Sequence, residues 1–133
     1  MDARDFLEHD RFAALAGVQL LEVREGFARA RMLLGPDQLN AAGSAQGGAV
    51  FTLADLAFAA ATNSHGTLAV TIDASISFLR AASQGALVAE AVEEARSSKL
   101  STCVVRVIDD DGRLVALMKG TAFRKDTPLA LPT

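Results

Sequence analysis

Residues 47–64 of this 133-residue chain read GGAVFTLADLAFAAATNS, and this stretch decides the fold. Its interior is apolar on nearly every face of a helix, and a helix that is apolar all round is buried all round. It is too short to cross a bilayer, which takes about 20 residues. We therefore predict a helix that the rest of the protein encloses, ended by a left-handed cap at Gly66.

The sequence on both sides of this helix predicts mainly strands. Residues 18–34 alternate with the period of two typical of a half-buried strand pair, with a turn near Glu25 and Gly26. Strands are also predicted at residues 71–80, 86–95, 100–108 and 114–123, with a tight Asp111-Gly112 hairpin between the last two.

The first residues predict one short amphipathic helix, with Asp2 as its N-cap and Gly17 as its stop. Together these elements predict an α+β fold. In it an antiparallel sheet of five or six strands is wrapped around one long central helix.

Composition narrows the class of protein. Half of the residues are apolar, and 13 Lys and Arg against 16 Asp and Glu give a net charge of −3. The length suits a single domain over residues 1–133, and the acidic balance argues against nucleic-acid binding. No signal peptide or membrane span is evident, so we expect a soluble, cytoplasmic protein without membrane association. One cysteine and two histidines predict neither an internal disulfide nor a metal site.

Asp55 is the one carboxylate within the apolar helix. Burying a carboxylate is costly unless something compensates it, and desolvation raises its pKa and makes it a stronger base. The positions three and four residues away form almost no polar stripe for Asp55 to join: they are Phe51, Thr52, Phe58 and Ala59. We therefore interpret Asp55 as a catalytic candidate.

Gly47 and Gly48 open the helix and leave backbone N–H groups free at the positive end of its dipole. Such a site suits an anionic oxygen, either a phosphate or a developing oxyanion. A tight packing turn would explain the two glycines equally well.

Gly47 and Asp55 cannot serve one site within one chain. Eight helical steps separate them by about 12 Å, at about 1.5 Å per residue. A catalytic base must lie about 3 Å from an atom that the oxyanion donors also contact. A shared site therefore needs two chains with their central helices side by side and antiparallel, which predicts a homodimer with shared active sites.

These residues resemble the hotdog-fold acyl-CoA thioesterases, most closely the PaaI type of bacterial phenylacetate degradation. Within the helix region the resemblance rests on Asn40, on residues 46–55 and on residues 63–66. Further along it includes Thr71-Ile72-Asp73, Phe78-Leu79-Arg80 and residues 114–121, so that it covers most of the chain from about Val18.

The resemblance implies hydrolysis of an acyl-CoA to the free acid and CoA, without a metal or a bound cofactor. In that reading Asp55 is the general base or the nucleophile, and the Gly47 N–H contacts the thioester carbonyl oxygen. Asn40 orients the water or the acyl group, and Thr71 lies near Asp55 and assists in positioning water. The family takes the aspartate from one subunit and the glycine from the other, and commonly forms a dimer of dimers.

Substrate-binding residues are also expected from the resemblance and from side-chain type. Gly48 is a general substrate-binding candidate, and Phe51 and Phe58 are candidates for an apolar acyl pocket, for which phenylacetyl or hydroxyphenylacetyl groups are the expected occupants. Cationic or polar strand ends would hold the CoA phosphates. The candidates are Arg80, residues 96–99 with Ser98 and Lys99 among them, and residues 124–125.

The chain departs from the family pattern at Gln46, where a histidine is usual. Glutamine forms hydrogen bonds, so Gln46 is kept among the catalytic candidates, but it does not titrate near neutral pH. This keeps open a non-catalytic acyl-CoA binding or sensing module. A hotdog enoyl-CoA hydratase or dehydratase is a second alternative, but it needs a histidine–carboxylate pair near Gly47, and His65 is distant in sequence.

Overall fold

The computed structural model describes residues 1–133. Its helices are α1 (Ala3–Leu7), α2 (Arg11–Leu15) and α3 (Gly47–Thr62), with a 3-10 turn at Pro36–Gln38. Its strands are β1 (Val18–Arg24), β2 (Phe27–Leu33), β3 (Thr67–Phe78), β4 (Ala86–Arg96), β5 (Leu100–Ile108) and β6 (Leu114–Pro128).

The six strands form one antiparallel sheet in the order β1-β2-β4-β5-β6-β3. This confirms the predicted α+β architecture and places β3 at an edge, paired only with β6. Register shifts interrupt the ladders on β1, β3 and β4, between Leu20 and Glu22, Thr71 and Asp73, and Glu93 and Ala95. Such irregularities bend strands, which lets this sheet curve around α3.

Small side chains on the sheet let α3 approach it closely. The strand residues without any exposed surface include Ala28, Ala30, Ala89, Ala91 and Ala116. Phe58 of α3 is also fully buried, and a Cβ at Gly120 of β6 would lie 2.8 Å from its ring. The glycine therefore provides the space for the largest buried side chain of the helix.

The start of the chain differs from the prediction, because two short helices replace the single one. Asp2 caps α1 by accepting the Asp5 N–H at 2.8 Å, and Asp10 caps α2 by accepting the Ala13 N–H at 3.0 Å. Asp10 supplies a second N-cap at which the chain changes direction. Gly17 and Gly66 both adopt the left-handed backbone expected of them, with φ of 85° and 90°. No helix is both long and apolar enough to span a membrane.

Candidate active site

The N-terminus of α3 presents two free hydrogen-bond donors. Gln46 is the N-cap, and its side-chain Oε1 accepts the Ala49 N–H at 3.0 Å. The Gln46 carbonyl accepts the Val50 N–H at 3.0 Å, whereas the N–H groups of Gly47 and Gly48 have no acceptor within the chain. Unpaired donors at the positive end of a 16-residue helix form a favourable site for an anionic oxygen.

Gln46 therefore has a role that the sequence did not indicate. We expected it in the catalytic group because of its place before the two glycines, and the structure uses its side chain to cap the helix. Glutamine is not among the preferred N-cap residues, so its position alone gave little signal for capping.

A cavity of about 420 Å³ opens beside the first turn of α3; we call it the Gly47 cavity. It brings together Asn40, Gly47, Phe78 and Arg80, which come from the loop before α3, from α3 itself and from the end of β3. Three of the predicted site residues, Asn40, Gly47 and Arg80, thus line one space.

The loop before α3 is held in shape by Asn40. Its Oδ1 accepts the N–H groups of Ala42 and Ser44 at 2.9 and 3.1 Å, an Asx-type turn. Because the carbonyl oxygen is used in this way, the Asn40 amide NH₂ is the group left to donate a hydrogen bond to a ligand.

Asp55 is half-buried and lies on a partly exposed face of α3, which we call the open stripe (Gly48, Thr52, Asp55 and Ala59). Burial raises the pKa of the Asp55 carboxyl above its usual value of 3.8, and the nearby Asp10 carboxylate raises it further. Neither a hydrogen bond nor a positive charge offsets these effects. Asp55 is therefore an unpaired carboxylate with increased basicity.

The open stripe also corrects the prediction that α3 is enclosed on all sides. Its other faces contact the sheet and α1, whereas this one stays partly exposed beside α2. Asp10 is a part of the site that sequence analysis missed, because it lies 45 residues before Asp55 and only the packing of α2 on α3 brings it near.

A single chain does not bring Asp55 and the Gly47 N–H together. The helix runs unbroken from Gly47 to Thr62, so the two groups are separated by about 12 Å at about 1.5 Å per residue. Thr71 lies exposed on the edge strand β3, opposite Ala122 of β6, and forms no hydrogen bond with Asp55. Within one chain, Asp55 is therefore neither beside the Gly47 N–H nor hydrogen-bonded to Thr71.

The candidate substrate-binding residues are divided among different places. Phe51 is half-buried and packs against the core, whereas Phe58 lies wholly inside the core against Gly120 and presents no surface to a ligand. Ser98 and Lys99 are exposed in the β4–β5 turn, where Lys99 Nζ lies 3.5 Å from Asp126.

This turn lies at the far end of β6 from Arg80. The Arg80 N–H bonds to the Val115 carbonyl at the start of β6, whereas the Lys99 carbonyl accepts the N–H of Arg124 near its end. Arg80 and Lys99 of one chain therefore cannot hold the same phosphate. Arg124 is buried and donates to the Ser97 carbonyl, which gives it a structural role in this turn.

The chain has one close histidine–carboxylate pair with little exposure, and it lies away from the glycines. His65 Nε2 is 2.9 Å from Glu93 Oε1, the two side chains are 11% and 9% exposed, and the Ser101 hydroxyl donates to the same carboxylate. This pair follows the C-terminal end of α3, opposite Gly47, so it lacks the position that a hydratase would need. No group of three or more His, Cys, Asp or Glu side chains is arranged to hold a metal ion.

The fold and the site define a class of protein. A central helix within a six-stranded antiparallel sheet, preceded by short N-terminal helices, is the arrangement of the hotdog fold. The family model described as thioesterase superfamily matches residues 42–116. The chain belongs to this superfamily and is a thioesterase of the hotdog fold.

Particular relatives agree with this assignment. A putative esterase of Archaeoglobus fulgidus is 42% identical over 123 residues, which cover 91% of this chain and 80% of that protein. The acyl-coenzyme A thioesterase PaaI of Escherichia coli is 33% identical over 124 residues, with 92% and 89% covered. The solved structure of the E. coli PaaI protein from the phenylacetic acid degradation operon superimposes with a TM-score of 0.92 at 31% identity, covering 97% of this chain and 94% of that one.

Proposed function

We propose that this thioesterase hydrolyses acyl-CoA thioesters to the free acid and CoA, in a homodimer whose active sites are shared between subunits. The observation that carries the proposal is the Gly47 cavity, which Asn40 and Arg80 line together with Gly47, a residue whose N–H group has no acceptor within the chain. Asp55, an unpaired carboxylate on the open stripe, provides the base or nucleophile that acts together with this donor. The E. coli relative named an acyl-CoA thioesterase supports this substrate class.

In the proposed reaction, the thioester carbonyl oxygen accepts a hydrogen bond from the Gly47 N–H of one subunit. The dipole of α3 stabilises the negative charge that develops on this oxygen. Asp55 of the other subunit either takes a proton from the attacking water or attacks the carbonyl carbon itself to form an anhydride, which water then hydrolyses. In both cases the carbon–sulfur bond breaks and CoA leaves as the thiolate, which takes up a proton.

The free edge of β3 supports the dimer. Ile72 and Phe78 of this strand are 59% and 55% exposed, and an uncovered apolar edge strand favours pairing with another chain. Antiparallel pairing of two β3 strands would direct Arg80 of one subunit toward the β4–β5 turn of the other. Arg80 would then share the CoA phosphates with Ser98 and Lys99 across the interface.

We also propose two finer features, a second association surface and a class of acyl group. Exposed apolar side chains on β1 and β4 (Leu21 and Val92) offer a second surface on which two dimers could associate into a tetramer. Aromatic acyl groups such as phenylacetyl or hydroxyphenylacetyl are the proposed substrates, because the E. coli relative comes from a phenylacetic acid degradation operon.

The test is a thiol-release assay over aliphatic and aromatic acyl-CoAs, with wild type, Asp55→Asn and the control Asp111→Asn in an exposed turn. We expect wild type to hydrolyse at least one substrate and Asp55→Asn to lower kcat by about 10²–10⁴-fold, the usual contribution of a general base. Asp111→Asn should behave like wild type.

Two results would contradict the proposal. Full activity of Asp55→Asn would remove Asp55 from the mechanism. If wild type binds acyl-CoA in calorimetry but releases no CoA from any of the substrates, the chain is instead the non-catalytic binding module that Gln46 left open.

A further inference from the structure

Helix α2 buries a small apolar side chain and exposes its large ones. It buries its small Ala13 against the core, at 2% exposure, and directs its two large apolar side chains outward. Phe12 is 68% exposed and Leu15 is 82% exposed. A helix that served only to cover the core would bury its large side chains and expose its small ones. Phe12 and Leu15 are therefore placed to contact something outside the chain's own core.

These two side chains line a cavity of about 510 Å³ between α2 and the first turns of α3, which we call the Gly48 cavity. Gly48, Ala49 and Thr52 of α3 form its other wall. The volume falls within the range of small-molecule sites, about 300–1,000 Å³. Asp37 and Gln46 complete the lining with polar groups.

The Gly48 cavity is continuous with the catalytic face of α3. Gly48 and Thr52 belong to the open stripe, and Thr52 precedes Asp55 by three residues on the same face of the helix. Asp10, at the start of α2, lies near enough to Asp55 for its charge to act on that carboxyl. Helix α2 thus follows the open stripe from the region of Asp55 toward Gly48.

Helix α2 is also fixed in this position at both of its ends. Asp10 caps its N-terminus, and the Gln38 side chain donates to the Ala16 carbonyl at 2.9 Å just after its last turn. The outward direction of Phe12 and Leu15 is therefore a property of the fold, with the backbone of the helix anchored to the loop that leads into α3.

Two cavities of different character consequently flank the glycine pair. The Gly47 cavity contains Asn40 and Arg80, whereas the Gly48 cavity is bounded by Phe12 and Leu15. An acyl-CoA thioester has a polyanionic half and an acyl half that meet at the reacting carbonyl. We propose that Phe12 and Leu15 are specificity-determining residues that pack against the apolar acyl group, while the CoA half extends past Arg80. This inference rests on the proposed acyl-CoA hydrolysis.

The experiment measures kcat/KM for acetyl-, hexanoyl- and phenylacetyl-CoA with Phe12→Ala, Leu15→Ala and the control Leu33→Ala, an exposed leucine of β2. We expect Phe12→Ala to lower kcat/KM for phenylacetyl- and hexanoyl-CoA by about ten-fold or more, since one lost methylene contact in a pocket already changes it by about 10–200-fold. Acetyl-CoA should change by less than about two-fold, because it does not reach the two side chains. Leu33→Ala should leave all three values unchanged.

Several results would overturn the inference. An equal loss on all three substrates would mean that α2 supports the site only structurally, and no loss on any would mean that the acyl group lies elsewhere. A lower oligomeric mass of Phe12→Ala or Leu15→Ala in light scattering would show that Phe12 and Leu15 contact a second copy of the chain.

Failure of the proposed function has a different result, namely a wild type that hydrolyses none of the three substrates. Calorimetric affinities for the same acyl-CoAs on the Asp55→Asn background then provide the same comparison without turnover.

Discussion

At the scale of single residues, substitutions at Gly47 can separate the effect of losing its N–H group on catalysis from the effect of adding a side chain. Its position is the first of α3, where proline is well tolerated, and Gln46 before it has the extended backbone, φ −68° and ψ 133°, that a following proline requires. A proline at this position would therefore remove the donor while leaving the helix in place.

We predict that Gly47→Pro lowers kcat by about 10²–10³-fold, the usual loss for one oxyanion donor. The control is Gly47→Ala, which keeps the N–H and adds a Cβ 3.3 Å from the exposed ring of Phe78, a side chain with room to shift. Steady-state kinetics and circular dichroism of both variants test this. An equal loss in the two variants would assign the effect to the side chain and not to the donor.

Asp55 is predicted to lower the free energy of unfolding at neutral pH, where its ionised carboxylate would act in catalysis. Burial raises the pKa of its carboxyl in the folded state, so the protonated form is the one that folding favours. Its contribution to the free energy of unfolding is fully present below the unfolded pKa, about 3.9, and is lost as the pH rises through the higher folded pKa.

Asp55→Asn should therefore have a higher Tm than wild type at neutral pH, and the difference should disappear in acid below the unfolded pKa. Thermal unfolding of both proteins across this pH range tests the sign. A lower Tm for Asp55→Asn at neutral pH would show that the ionised carboxylate is compensated in the fold. In wild type, kcat/KM should fall with decreasing pH at a higher pH than for an ordinary aspartate, because the active form is the carboxylate.

At the scale of elements, the pair of His65 and Glu93 joins the end of α3 to β4, far from the catalytic groups. Both side chains are nearly buried, and Ser101 of β5 donates to the same carboxylate. His65→Ala would leave this carboxylate enclosed with only a hydroxyl partner. Removing the partner of a buried hydrogen-bonding group costs about 1–3 kcal/mol, and more where the group left behind is charged.

We therefore predict a clear loss in the free energy of unfolding for His65→Ala, measured by urea titration, with kcat/KM within about two-fold of wild type at a temperature where both are folded. The control is His9→Ala, whose ring is exposed in the turn between α1 and α2. Similar stability of the two variants would contradict the structural role. A large loss of activity with His65→Ala in the folded state would mean that the pair takes part in the reaction.

The elements also show what the sequence could predict. The apolar run of α3, the alternation of the strands and the left-handed Gly66 are local patterns, and the predicted helix and strands formed from them. The division of the first helix at Asp10 was missed, because an aspartate within an amphipathic stretch reads equally well as a surface residue. The prediction ended the last strand at residue 123, and β6 continues to Pro128 because β3 lies beside it as a pairing partner.

The placement of candidate residues followed from the sequence where it depends on one helix and not where it depends on packing. Gly47 and Asp55 both lie on α3 as expected, and their catalytic roles stay predictions. Phe58 was expected in the acyl pocket, although its side chain points into the core toward a glycine on a strand 62 residues later. Arg80 and Lys99 were grouped together, and the strand order that separates them has no local signature.

At the scale of the whole molecule, the chain is half of the proposed active site. The open stripe with Asp55, the uncovered edge of β3 and the Gly47 cavity are each incomplete within one copy. A second copy placed with its α3 antiparallel to the first would bring each Asp55 toward the other subunit's Gly47. The proposed active site is therefore shared between two subunits.

The most direct test mixes the two inactive variants, Asp55→Asn and Gly47→Pro, in one dimer. Each mixed dimer contains one site with both groups intact and one site with neither, and the two subunits carry different tags so that native mass spectrometry counts the mixed species. Random pairing makes about half of the dimers mixed, and each mixed dimer has one working site of its two. A shared site therefore predicts recovery of about one quarter of the wild-type activity. Mixed dimers as inactive as their parents would contradict it, because the two groups would then have to act from the same chain.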